Sequence, residues 1–106
     1  DELADLVSER LGGVHRVAGS GALNTVAVVP GSGGSMLGLV DAYAVVTGDV
    51  SHHQARDALG RGLAVIDPGH AATERPGVQA LYAAVAEMIG NTIDMTKVDP
   101  DPWKER

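Results

Sequence analysis

The sequence contains no cysteine and no phenylalanine, and only two tyrosines and one tryptophan occur among its 106 residues. Without cysteine the chain has neither a disulfide framework nor a thiolate metal site, so any metal ligands must be histidine, aspartate or glutamate. Hydrophobic residues make up 44% of the chain, but most are the small or medium-sized Ala, Val and Leu. A single domain of this size has a modest core, and we expect partner chains or further segments to add to it.

Basic residues are also scarce: eight Lys and Arg stand against fourteen Asp and Glu, for a net charge of -6. Nucleic-acid binding needs clustered positive charge, so we expect no nucleic-acid partner. No apolar stretch approaches the twenty or so residues of a membrane span, and the first segment, "DELADLVSER", is acidic where a signal peptide is basic. We therefore expect a cytoplasmic protein without a membrane partner.

Three apolar runs, "TVAVVP", "YAVVTGD" and "LAVIDP", are each followed by a turn and a helical segment. Their apolar residues are successive rather than alternating, which is typical of parallel strands covered on both faces. A capping box of Ser51 and Gln54 begins one helix. The longest helix is predicted from Thr73, with an apolar stripe formed by Val78, Leu81, Tyr82, Val85 and Met88. We predict a single α/β domain over residues 1–106, with a mostly parallel sheet flanked by helices, a short strand in "VHRVAG" and a final strand in "TIDMTKV".

One connection in this scheme is short. Only about seven residues separate the glycine-rich turn "PGSGGS" from the strand that begins at Tyr43, whereas a crossover between parallel strands usually takes a dozen or more. Either this crossover is irregular, or residues are missing from the chain near positions 40–43.

The loops after the three strands should meet at the carboxyl edge of the sheet, where open α/β sheets bind ligands. The third of these loops carries His70 and Glu74, four residues apart at the start of a helix. Imidazole and carboxylate suit Zn, Fe, Mn or Ni, although two ligands alone do not make a firm site. Local chemistry offers another interpretation, with Thr73 as N-cap, Glu74 near the positive helix end and Pro76 in the first turn.

The second loop, "TGDVSHH", carries Thr47, Asp49, His52 and His53. A helix start keeps imidazole neutral, as a ligand or general base requires, but adjacent helical residues diverge, so only one histidine should face the edge. Both histidines being solvated is the alternative. The turn "PGSGGS" is either an anion cradle or simply a tight turn, and it lacks the lysine of a P-loop.

Together these loops resemble the Nif-three-like dinuclear metal-centre family, also known as GTP cyclohydrolase I type 2-like. The resemblance rests on "VAVVPGSGGSML", "AVVTGDVSHHQARDAL", "GLAVIDPGHAATERPGVQAL" and "DPDPW", and it runs from about Val14 to the end. It implies that His70 and Glu74 bind metal and that His53 lies near the site. It also implies that the other ligands, an adjacent His pair and an Asp, precede this segment, which would be the carboxyl-terminal portion of a longer protein.

The same resemblance implies two divalent metal ions per complete site and a toroidal homo-hexamer. It also favours missing residues as the cause of the short crossover. The function that follows is a metal-dependent hydrolase acting on a small phosphorylated or heterocyclic substrate, with His53 as a catalytic proton-transfer group. The alternatives are a non-catalytic metal-binding assembly or interaction protein, and a plain α/β domain whose loops are only turns.

Overall fold

A computed structural model of the chain describes residues 2–12, 16–19, 25–96 and 102. These residues form an α/β fold, as the sequence predicts, and no helix among them is long and apolar enough to cross a membrane. The elements, in chain order, are α1 (Glu2–Leu11), β1 (Arg16–Ala18), β2 (Val26–Ser32), a 3₁₀ helix (Gly34–Leu39), β3 (Ala44–Gly48), α2 (His52–Gly60), β4 (Ala64–Asp67) and α3 (His70–Met88).

The four strands make one sheet in the order β1-β4-β3-β2. Strand β3 lies in the middle and pairs in parallel with both β2 and β4, whereas β1 pairs antiparallel with β4 at one edge. This arrangement confirms the mostly parallel sheet. Because the parallel strands all end on the same side, the loops that follow β2, β3 and β4 emerge at one carboxyl edge.

Helices cover both faces of the sheet, which accounts for the continuous apolar runs. Every residue of β3 is buried, with Val45 and Val46 directed to opposite faces. The core on one face joins β3 and β4 to α2 and the 3₁₀ helix, and the smaller core on the other face joins the same strands to α1. The predicted capping box of α2 is present, since Ser51 and Gln54 exchange side-chain and backbone hydrogen bonds.

The crossover from β2 to β3 is irregular, because the 3₁₀ helix Gly34–Leu39 replaces a full α-helix. Its Leu37 is buried in the core, and the Leu37 carbonyl accepts a hydrogen bond from Arg61 Nη2 at 3.1 Å. A short connection thus fills the layer that a longer helix would cover. That residues are missing near positions 40–43 stays a prediction.

The final strand predicted in "TIDMTKV" is wrong for residues 92–96, which form turns and irregular backbone. Side chains satisfy the backbone locally: Thr92 Oγ1 donates to the Ile89 carbonyl at 2.6 Å, and Asp94 Oδ1 accepts from the Thr96 amide at 2.9 Å. Such local bonds compete with strand pairing. Residues 97 and 98 of the predicted strand lie outside the described residues.

The apolar stripe predicted on the long helix is not buried against the rest of the described chain. Leu81 is 65% exposed and Met88 is 85% exposed, and the one buried residue of α3 is Thr73 in its first turn. The remaining stripe residues are exposed or half-buried: Val78, Tyr82 and Val85. The prediction fails because the one buried residue of α3 and its close contacts with Gly31 and Gly48 lie at the start of the helix, whereas the stripe begins further along at Val78.

Asp67, the last residue of β4, is buried and joins three segments. Its carboxylate accepts hydrogen bonds from Arg16 Nη2 of β1, from the Val50 amide at 3.0 Å and from the Gly69 amide at 2.9 Å. Arg16 Nη2 also donates to the Val50 carbonyl at 2.7 Å. A buried carboxylate is stable only when hydrogen bonds compensate its lost hydration, and here that requirement fixes the loops that lead into α2 and α3.

Replacing Asp67 by asparagine tests this network. The asparagine side chain would retain one acceptor oxygen but present an amide group to donors, so a buried N–H loses its partner. We expect the free energy of unfolding to fall by about 1–3 kcal/mol, measured by urea denaturation followed by circular dichroism. Asp41→Asn, at an exposed position before β3, is the matched control and should change stability by less than about 0.5 kcal/mol. Equal effects of the two substitutions would contradict this role of Asp67.

Candidate metal centre

The first turn of α3 lies against the ends of β2 and β3, and two glycines make this approach possible. A Cβ atom at Gly48 would lie 2.7 Å from the Gly31 carbonyl oxygen and 2.7 Å from both the backbone nitrogen and the Cα of His70. At Gly31, which has φ +80°, a Cβ would lie 2.7 Å from Glu74 Oε1. Only glycine fits at these positions, so the strand ends hold the start of α3 at close range.

A hydroxyl group fastens the same turn to β2. The Gly31 amide donates to Thr73 Oγ1 at 2.8 Å, and Thr73 Oγ1 donates to the His70 carbonyl at 2.8 Å. Thr73 therefore connects β2 to α3 and is not the N-cap. That prediction is wrong because the N-cap is Gly69, four residues earlier, where φ +105° turns the chain directly after Pro68. It follows that Pro76 lies inside the helix and not in its first turn.

The structure brings the two sequence-predicted metal ligands together. His70 Nε2 and Glu74 Oε1 are 3.4 Å apart across one helical turn, and both side chains are about half exposed. They occupy the carboxyl edge of the sheet, with the Gly31 backbone beneath them. An imidazole and a carboxylate at this edge are therefore available to a ligand from solvent.

Asp49 is a third member of the cluster. It directly follows β3 and has φ +57°, and its Oδ2 lies 2.6 Å from His70 Nδ1. The spacing of residues on the second loop predicts no role for Asp49. The feature that could have indicated Asp49 is its position immediately after a central parallel strand, where side chains reach the carboxyl edge.

The two carboxylates perturb the titration of His70. The hydrogen bond that His70 donates to Asp49 is the largest cause and raises the pKa of His70 above 6.5, and the charges of Glu74 and Asp49 add to this effect. Partial desolvation lowers the pKa and offsets part of the increase. Since a metal ligand must be unprotonated, protons compete with metal at this imidazole up to a higher pH than at an ordinary histidine.

The other histidines are placed differently. His53 is 88% exposed on α2, and its Nε2 lies 3.8 Å from Asp57 Oδ2 one turn further along the same helix. His52 is exposed and lines a cavity of about 150 Å³ that it shares with Arg16 and Val50. His15 lies outside the described residues. The catalytic role of His53 stays a prediction.

The glycines of "PGSGGS" serve packing. A Cβ at Gly33 would collide with Thr47 Oγ1, and a Cβ at Gly34 would collide with Gln54 Oε1. The Gly33 amide also donates to the Gly48 carbonyl at 3.2 Å. Contact with β3 and α2 therefore explains these glycines, which fits the tight-turn interpretation of the loop.

The pair of donors fits a divalent metal ion. Nitrogen and oxygen ligands that bind one ion at about 2.0–2.2 Å lie about 3–3.5 Å from each other. The separation of 3.4 Å between His70 Nε2 and Glu74 Oε1 falls in that range. Across the residues that the structure describes, no group of three or more His, Cys, Asp or Glu side chains is arranged to hold a metal. The described residues alone therefore do not form a complete metal site.

Fold and site together define an α/β protein that carries a candidate metal-ligand pair at the carboxyl edge of a mostly parallel sheet. Comparison with known families identifies it further: residues 1–102 match the model of the Duf34/NIF3 family, NGG1p interacting factor 3. The chain belongs to this family, which confirms the resemblance drawn from its motifs.

Individual relatives cover most of the chain but little of their own length. A rat protein named NIF3-like protein 1 is 37% identical over 84 residues, which are 77% of this chain and 22% of that protein. A Campylobacter jejuni protein named GTP cyclohydrolase 1 type 2 homolog is 36% identical over 84 residues, 76% of this chain and 35% of the relative. The chain therefore spans about a third or less of these relatives.

Solved structures agree on the fold. A Bacillus cereus protein related to NIF3 superposes with a TM-score of 0.79 at 27% identity, covering 99% of this chain and 32% of the other. A Thermus thermophilus protein gives 0.75 at 37% identity, covering 84% of this chain and 38% of its own. The α/β architecture around the candidate metal centre is thus shared with both proteins.

The hydroxyl of Thr73 can be tested by removing it without changing the shape of the side chain. Thr73→Val leaves the Gly31 amide without its acceptor, so we expect this amide to exchange with solvent about ten-fold faster or more in hydrogen-exchange NMR. Thr73→Ser keeps the hydroxyl and should retain most of the protection. If valine and serine gave the same exchange rate, the hydrogen bond would not be what holds this turn.

The raised pKa of His70 gives a second test. In the metal-free protein we expect the His70 ring to titrate above 6.5 by NMR, and Asp49→Asn should lower the midpoint. Since the folded-state pKa is raised, the interaction stabilises the fold fully below pH about 6.5, and this contribution is lost as pH rises through the folded-state value. Asp41→Asn should leave the midpoint unchanged. A wild-type midpoint at or below 6.5 would contradict the interaction.

Proposed function

We propose that the protein containing this chain is a metal-dependent hydrolase, in which His70 and Glu74 are two ligands of a dinuclear divalent-metal centre. The observation that carries the proposal is the 3.4 Å approach of His70 Nε2 to Glu74 Oε1 at the carboxyl edge of the sheet. Close packing at Gly31 and Gly48 supports it further, because it holds both donors on one rigid turn. Zn, Fe, Mn and Ni all suit these donors.

In such a centre, divalent ions supply activation of water and polarisation of a substrate oxygen. In this proposal the chain holds His70 and Glu74 at a fixed distance from each other, because Thr73, Gly31 and Gly48 fix the turn that carries them. The remaining ligands, an adjacent His pair and an Asp, are proposed to come from outside the chain. This is consistent with the chain spanning 22–35% of its relatives in the rat and Campylobacter jejuni proteins.

The proposed substrate is a small phosphorylated or heterocyclic molecule. Its support is the name of two bacterial relatives, GTP cyclohydrolase 1 type 2 homolog, which are 34–36% identical to the chain. His53 is proposed as a proton-transfer group, and its 88% exposure leaves it free to exchange protons with solvent. No described contact of the chain is specific to guanine.

A second function, a non-catalytic metal-binding assembly, has its own supporting observation. The apolar side chains of α3 beyond Pro76 are largely exposed, with Leu81 at 65% and Met88 at 85%. Exposed apolar surface of this kind is typical of protein interfaces. A homo-oligomer, and specifically a hexamer, is part of this proposal and is compatible with the hydrolase as well.

The two functions are separated by metal content and turnover in the full-length protein. We expect two divalent ions per wild-type chain by elemental analysis, and turnover of members of a panel of nucleotides and phosphate esters. Glu74→Gln removes a charged ligand but keeps its shape, so metal content should fall to one ion or fewer and turnover should be lost. Glu87→Gln, an exposed position on the same helix, is the matched control and should change neither.

The contrary outcomes are distinct from one another. Full metal occupancy without turnover of any panel member would favour the assembly function. Absence of bound metal, together with no heat of binding for Zn, Mn, Fe(II) or Ni by calorimetry, would remove both metal-based proposals.

A further inference from the structure

Asp49 contacts the ring nitrogen of His70 that faces away from Glu74. Asp49 Oδ2 lies 2.6 Å from His70 Nδ1, whereas Glu74 Oε1 lies 3.4 Å from Nε2. The two carboxylates therefore occupy opposite sides of one imidazole. Asp49 comes from the loop after β3 and Glu74 from the same helix as the histidine, so the two contacts have independent structural origins.

The backbone on both sides of Asp49 is fixed, which determines where its side chain points. On one side, Gly48 packs so closely on the His70 backbone that a Cβ there would lie 2.7 Å from His70 N. On the other side, the Val50 amide is held by the buried Asp67 carboxylate at 3.0 Å. Between them Asp49 has φ +57°, a left-handed conformation that aspartate adopts more readily than most residues.

The position of this carboxylate decides which ring nitrogen carries the proton. An ionised carboxylate only accepts hydrogen bonds, so the short contact requires a proton on His70 Nδ1. In the neutral ring, Nε2 is then an unprotonated acceptor directed toward the Glu74 carboxylate, which is also an acceptor. Two acceptors at this separation repel each other unless a proton on Nε2, as in the imidazolium, or a metal ion lies between them.

We infer that Asp49 is a positioning residue for His70, which fixes the Nδ1–H tautomer and the ring orientation so that Nε2 is available to a metal ion shared with Glu74. The proton on Nδ1 follows from the contact with Asp49, and the consequence for metal affinity rests on the proposed function. Carboxylates that hold a ligating histidine in this way typically contribute about 10–100-fold to metal affinity.

Two substitutions separate this role from a merely structural one. Asp49→Gly removes the acceptor but suits the left-handed backbone, so the fold should persist, as circular dichroism melting would report. Asp49→Asn also tolerates this backbone and retains an acceptor oxygen without the charge. Asp41→Gly, at another exposed loop aspartate, is the matched control.

The first measurement needs no metal. Long-range ¹H–¹⁵N NMR of the metal-free full-length protein, at a pH above the His70 titration, reports which ring nitrogen is protonated. We expect the Nδ1–H tautomer in the wild type, in Asp49→Asn and in Asp41→Gly. Asp49→Gly should show a large share of the Nε2–H tautomer. The Nδ1–H tautomer persisting in Asp49→Gly would overturn the inference.

The second measurement is a competition titration with Zn²⁺ alone. Asp49→Gly should bind Zn²⁺ about 10–100-fold more weakly than the wild type, Asp49→Asn should lose less, and Asp41→Gly should lose nothing. Wild-type affinity in Asp49→Gly would overturn the positioning role for metal. If the wild type bound no Zn²⁺ but the tautomers behaved as expected, the proposed function would fail while the orientation of His70 by Asp49 would stand.

Discussion

The close approach of the first turn of α3 to the ends of β2 and β3 is the constraint on which the candidate centre depends. At Gly48 no side chain is possible, because even a Cβ would collide with the backbone of His70 and with the Gly31 carbonyl. The Thr73 hydroxyl then bonds to both the Gly31 amide and the His70 carbonyl. Backbone contacts thus fix the donors His70 and Glu74 before any metal is considered, which is how a site is preorganised on rigid elements.

Two carboxylates, one buried and one half-exposed, hold the loops around this turn. The buried Asp67 holds the amides of Val50 and Gly69, which begin the loops leading to α2 and α3. The half-exposed Asp49 lies one residue before Val50 and contacts His70 directly. The loop after β3 is therefore held to the sheet through Val50 and contacts the imidazole through Asp49. Both contacts at this edge are made by carboxylates.

The elements that depend on local sequence patterns could be predicted from the sequence. The central strand was recognisable because both of its faces are buried, and the start of α2 because Ser51 and Gln54 form a capping box. The predicted final strand is absent from residues 92–96 because pairing needs a neighbouring strand that a local pattern does not reveal. Instead, Thr92 bonds to the Ile89 carbonyl and Asp94 accepts from the Thr96 amide. The start of α3 was misplaced because it depends on Gly69 at φ +105°.

The contact of Asp49 with His70 depends on how two loops converge, so sequence spacing indicated only their common edge.

Pro76 separates two parts of α3 that differ in how closely they pack on the sheet. A proline has no amide hydrogen, so the Ala72 carbonyl lacks its usual helical partner, and the helix is most easily bent at this point. Residues 70–75 lie on the sheet side of this point and share the fixed turn at Gly31 and Gly48. Residues 77–88 follow the proline and carry exposed apolar side chains such as Leu81 and Met88. The turn from Ala72 to Pro76 that lacks this hydrogen bond contains Glu74, so packing of the helix start on Gly31 and Gly48 must fix the donor spacing that the helix alone holds less firmly.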